Sequence, residues 1–141
     1  MRRYLLDTNL LSAFLLKRPF AKTLIGPWIK NGEVVTSILV YGEVNEYLLA
    51  RPKYLKFHSK LEKILKAIKP LYLTYPIMRK YSVLRRLLRP KRSLIGDIDT
   101  IIASTALERN LTLVTTDEDF KRVPDLKLML IPRSKLKRQK H

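Results

Sequence analysis

Short apolar runs of β-forming residues alternate with helical stretches along nearly the whole of this chain, and that alternation limits its fold more than any other feature. Strands separated by helices cannot meet through tight hairpins. They return to a sheet by crossover connections, which makes the sheet mostly parallel and covers its faces with helices. The pattern predicts strands over residues 3–6, 33–36, 70–73, 111–115 and 126–131. Helical periodicity falls over residues 10–16, 20–30, 38–50, 53–68, 75–88 and 97–108, with a short helix near 118–121 and an irregularity expected at Gly26-Pro27. Asn31-Gly32 signals a turn, Ser37 is placed to cap the third helix, and Asn110 to stop the last long one. The expected fold class is therefore α/β, a central, mostly parallel sheet between layers of helices.

With 141 residues the chain fits one domain, expected over residues 1–132, followed by a loose basic tail over 133–141. No apolar run approaches the roughly 20 residues that a membrane span needs. The basic N-terminus reaches Asp7 too soon for a signal-peptide core, so a cytoplasmic protein is expected. There is no cysteine, and the two histidines, His58 and His141, stand far apart. Thiolate sites are thus excluded and zinc is disfavoured, so any metal must be held by oxygen, which suits Mg²⁺ or Mn²⁺. Lys and Arg number 29 against 12 Asp and Glu, a formal net charge of +17. A field of that sign draws in polyanions, RNA foremost.

Against this basic background the few acidic residues sit where strands end or helices begin. Asp7 ends the first strand, Glu43 lies in the helix after the second, Asp97 and Asp99 open the last long helix, and Asp117 and Asp119 follow the fourth strand. In a parallel α/β sheet the ligand site lies beyond the carboxyl ends of the strands, so these groups can meet at one end. Carboxylates gathered in one cleft repel each other unless a divalent cation is present. Such a cation would neutralise a phosphodiester and activate a water against it. Each residue also has an ordinary reading. Asp7 and either Asp97 or Asp99 are good helix caps, and 117–119 could be a solvated turn.

The same residues carry a family likeness. Tyr4-Leu5-Leu6-Asp7-Thr8-Asn9 resembles the opening motif of PIN domains, and Ser37-Ile38-Leu39-Val40-Tyr41-Gly42-Glu43 resembles their second. The stretch from Ile95 to Leu107, with Asp97, Asp99 and Ile102-Ala103, is similar to the third. Leu113-Val114-Thr115-Thr116-Asp117-Glu118-Asp119-Phe120 is similar to the fourth. The likeness is strongest to the VapC toxins of toxin–antitoxin pairs. It implies a PIN-like three-layer fold and a Mg²⁺- or Mn²⁺-dependent endoribonuclease activity. It also implies a homodimer and inhibition by a cognate antitoxin protein. Carried over by position, Asp7, Glu43, Asp99 and Asp117 are the catalytic and metal-holding residues. Asn9, Thr115, Asp119 and Asp97 support them. Asp99 is preferred over Asp97 because its distance from Ile102-Ala103 matches the family pattern.

RNA would be gripped by Arg85, Arg86, Arg89, Lys91 and Arg92 beside the third motif, and by the tail. Trp28, Tyr41 and Tyr47 could stack on bases, although core packing explains each of them better. Two other functions stay open at this point. One is a PIN nuclease that processes ribosomal RNA. The other is a basic RNA-binding protein without catalysis. A phosphatase is discounted, because Asn9 stands where such enzymes want a second aspartate.

Overall fold

Five strands form in the computed structural model, which describes residues 1–138, and every pairing between them is parallel. They are β1 (Tyr4–Leu6), β2 (Val34–Ser37), β3 (Pro70–Leu71), β4 (Thr112–Thr115) and β5 (Leu128–Leu130). Their order across the sheet is β3-β2-β1-β4-β5. β1 is central, with Leu5 facing Val35 on one side and Leu113 on the other. Strands buried on both faces read as continuous apolar runs, and Leu5, Leu6, Val34, Leu113 and Val114 are fully buried. Burial of each leucine contributes roughly 2 kcal/mol.

The chain builds β1, β2 and β3 outward in one direction, then crosses back to lay β4 and β5 on the opposite side of β1. The reversal puts a crevice beyond the carboxyl ends of β1 and β4, where α/β sheets accept ligands. Six helices connect the strands: α1 (Thr8–Leu15), α2 (Pro19–Lys30), α3 (Ile38–Leu49), α4 (Tyr54–Ala67), α5 (Tyr75–Leu88) and α6 (Asp97–Glu108). Ser37 caps α3 as expected, accepting from the Leu39 amide at 3.1 Å. Asn110 stops the chain after α6 in a left-handed conformation, φ 55°. α5 and α6 pack against each other, and among the described residues no helix is long and apolar enough to cross a membrane.

Four details differ from the sequence reading. α2 runs unbroken through Pro27. Pro27 and Thr23 both lie on its exposed side, so the Thr23 carbonyl that loses its partner faces water. β3 is two residues long and β5 three, shorter than their apolar runs, because each pairs on one side only. Neither Asp97 nor Asp99 caps α6; Gly96 holds that position without a side-chain bond. The tail begins as ordered structure: Arg133–Leu136 form a 3₁₀ helix against α2, with Leu136 on the core and Lys135 over the Phe20 ring at 5.2 Å. The tail residues 139–141, His141 among them, lie outside the described residues.

Candidate active site

Asp7 occupies the turn where β1 becomes α1, and its local sequence explains its geometry. The buried run Tyr4–Leu6 delivers it to the crevice, and its backbone is extended, φ −79° and ψ 171°, as at a helix N-cap. One carboxylate oxygen accepts from the Thr8 amide at 2.8 Å and the other from the Thr115 hydroxyl at 2.6 Å. Thr115 in turn accepts from the Asp117 amide at 3.1 Å. A single buried hydroxyl therefore ties the end of β1 to the turn after β4, across 108 residues of sequence.

The other acidic residues reach the same place from separate elements. Glu43, about a turn and a half into α3, accepts from the Thr8 hydroxyl at 2.7 Å. Asp117 caps the 3₁₀ helix Glu118–Arg122, its carboxylate accepting from the Asp119 amide at 2.9 Å. Asp99 lies in the first turn of α6, half-buried, with its carboxylate beside Gly96. Its carboxyl is pushed up to about 6, first by burial and then by the charges of Asp7, Asp117, Glu43 and Asp119. Burial likewise raises Asp7, with Glu43 and Asp117 adding to it, while the bonds from Thr115 and Thr8 pull the other way. These mutual effects show that the structure gathers Asp7, Glu43, Asp99, Asp117 and Asp119 into one acidic neighbourhood.

Asp97 turns away from this group. It pairs with Arg85 at 3.2 Å and accepts from the Tyr81 hydroxyl at 3.2 Å, so it fastens α6 to α5. That also commits Arg85, whose guanidinium further donates to the Ile95 carbonyl at 3.4 Å. Arg86, Arg89, Lys91 and Arg92 are exposed. Asn9 donates to the Thr116 hydroxyl at 2.7 Å, and Asp119 pairs with Arg122 at 3.5 Å. Thr8 and Thr116 stand inside the sequence motifs without an assigned role, and the structure gives them one, as the partners of Glu43 and Asn9. Trp28 stacks on Tyr4 with ring centroids 3.9 Å apart, as part of the packing. His58 is engaged by Asn45, Tyr54 and Glu62.

The residues present suit a hard divalent cation. All the donors are carboxylate oxygens or hydroxyls, and their charges raise one another's proton affinity, a cost that a cation would remove. Among the described residues no three acidic or imidazole side chains are already closed tightly enough to surround an ion. The carboxylates fit such a cation in chemistry and charge.

The PIN domain family model matches residues 4–126. Ribonuclease VapC2 of Rickettsia felis is 32% identical over 125 residues, 87% of this chain and 93% of that protein. Ribonuclease VapC1 of Haemophilus influenzae is 26% identical over 125 residues. The crystal structure of VapBC2 from Rickettsia felis, bound to a DNA fragment from their promoter, aligns with a TM-score of 0.80 at 30% identity. That alignment covers 90% of this chain and 97% of the other. A parallel five-stranded sheet, acidic groups from four elements at its switch point and these relatives lead to one conclusion: the chain belongs to the PIN-domain family, in its VapC branch.

Proposed function

We propose that this protein is an Mg²⁺- or Mn²⁺-dependent endoribonuclease that acts in the cytoplasm as the toxin of a toxin–antitoxin pair. The observation that carries the proposal is the acidic neighbourhood at the carboxyl end of β1 and β4, set in a chain of net charge +17. Carboxylates alone would repel a phosphodiester; carboxylates that hold a cation attract it. The relatives named as ribonucleases point to RNA as the polymer.

Asp7, Glu43, Asp99 and Asp117 would hold the metal. When bound, the ion neutralises the scissile phosphate, lowers the pKa of the attacking water and stabilises the departing oxygen. The chain's own part is positioning. Thr115 and the Thr8 amide fix both oxygens of Asp7, and the Thr8 hydroxyl fixes Glu43, so these ligands are oriented before substrate arrives. Water adds to phosphorus and the O3′ bond breaks, which leaves a 5′-phosphate and a 3′-hydroxyl. Arg86 in the last turn of α5 and Arg89, Lys91 and Arg92 between α5 and α6 are exposed, where they can hold the strand by its phosphates. In this reading the cognate partner is an antitoxin protein, and the family likeness implies a homodimer.

The decisive experiment is cleavage of RNA with Mn²⁺ by wild type, Asp7→Asn and Asp99→Asn. Both variants should lose at least about 100-fold in rate, because each removes a charge from the metal site. Undiminished cutting by both would exclude this site.

A further inference from the structure

Beside the acidic neighbourhood lies a second feature that the motifs do not account for. A cleft of about 300 Å³ opens next to Asn9 and Thr116, which are hydrogen-bonded to each other at 2.7 Å. Its far wall carries three cations, Arg18 from the turn between α1 and α2, and Arg133 and Lys137 from the C-terminal segment. Among the described residues none of the three forms an ion pair. The segment is held in place by Leu136, which packs on the core and lines the cleft, and by Lys135 over the Phe20 ring. A neighbouring crevice shares Arg18 and adds Lys17, Lys60 and Arg138. The ammonium of Lys60 titrates below its ordinary range, through desolvation and then repulsion from Lys17 and Lys56. Positive charge is thus crowded along one path that leaves the acidic site at Asn9.

We propose that this cleft is an RNA subsite, in which Arg18, Arg133 and Lys137 hold the phosphate of a nucleotide next to the scissile one and direct the strand toward Lys17 and Lys60. The inference rests on the ribonuclease reading for what lies at the cleft's inner end, but not for the binding itself. Cations without an ion-pair partner among the described residues line a groove beside the acidic neighbourhood, and a nucleic-acid backbone carries the anions that would complement them.

The test is binding of a fluorescein-labelled single-stranded RNA oligonucleotide in EDTA, where nothing is cut, followed by anisotropy against salt concentration. The variant is Arg133→Glu with Lys137→Glu; the control is Lys22→Glu with Lys30→Glu, the same change in net charge on the exposed side of α2. The subsite variant should bind at least about 10-fold more weakly than the control, with a salt slope lower by roughly 0.7, the loss of one single-strand phosphate contact. Equal weakening by both pairs would overturn the proposal, since net charge alone would then explain it. Unchanged RNA binding together with loss of a co-purifying antitoxin would also overturn it, and would assign the cleft to a protein. Circular dichroism melts of all four proteins exclude misfolding as the cause, and Arg18→Gln supplies a milder second variant with the same expected direction. Should wild type bind RNA through this cleft yet fail to cut with Mn²⁺, the nuclease reading falls and the subsite stands.

Discussion

Thr115 shows how much of the candidate site depends on one hydroxyl. It donates to Asp7 and accepts from the Asp117 amide, so it sets the spacing between two of the proposed metal ligands. Thr115→Val keeps the shape and removes the bond. Cleavage with Mn²⁺ should fall about 10- to 100-fold, as when partners behind metal ligands are lost, and Thr115→Ser should restore most of it. Asp99 gives a second test. Its carboxyl is raised from 3.8 to about 6, so the folded protein holds that proton more tightly than the unfolded chain. The contribution of this group to stability is fully present below pH 3.8 and is lost as pH rises through about 6. Metal-free protein should therefore show a melting temperature that declines over this window on account of Asp99. Asp99→Asn should flatten the decline, and Mn²⁺ should raise the melting temperature more at pH 7.5 than at pH 5. A metal response equal at both pH values would show that these charges are not what the ion relieves. At this scale the sequence displayed the carboxylates and their neighbours Asn9 and Thr115, since each sits in a local motif. It could not display which hydroxyl meets which carboxylate. The Thr8–Glu43 bond spans 35 residues and the Asn9–Thr116 bond 107, and no local pattern encodes a partner so distant. Nor could it show that Asp97 is occupied by Arg85 and Tyr81, because that depends on how α5 packs on α6.

Among the elements, the helices were the most legible. The ranges expected for α5 and α6 coincide with those observed, because a long amphipathic stretch with clear ends leaves little freedom. Edge strands were less so: β3 covers half of its apolar run, since hydrophobicity marks burial and not the extent of a hydrogen-bonded ladder. Pro70 opens that strand, at a position where a missing amide does not interrupt a central ladder. The element with the clearest functional burden is α3, which must present Glu43 one turn and a half from its start. Its cap, Ser37, is fully buried at the end of β2. Ser37→Ala should cost about 1 kcal/mol of stability, measured by urea denaturation, as for other lost N-caps. The same variant should reduce cleavage, because a frayed first turn moves Glu43 relative to Thr8. Loss of stability with full activity would show that the cap serves the fold alone.

For the molecule as a whole, charge and topology act together. RNA affinity should fall as salt rises, with a log–log slope steeper than about −2, since each single-strand phosphate contact contributes roughly 0.7. A flat response would count against recognition through the backbone. The basic surface was visible from composition, but its layout was not. Arg85 was expected to face RNA and is bound to Asp97, whereas the tail, expected loose, folds at Arg133–Leu136 against α2. The strand order has one more consequence. β1 emerges first in synthesis, yet its neighbour β4 is among the last elements made, and Asp117 follows only after that. A nascent chain thus holds Asp7 at the rim of a half-built sheet, and its acidic companions from the C-terminal half arrive only when the closing strand slides in beside the first.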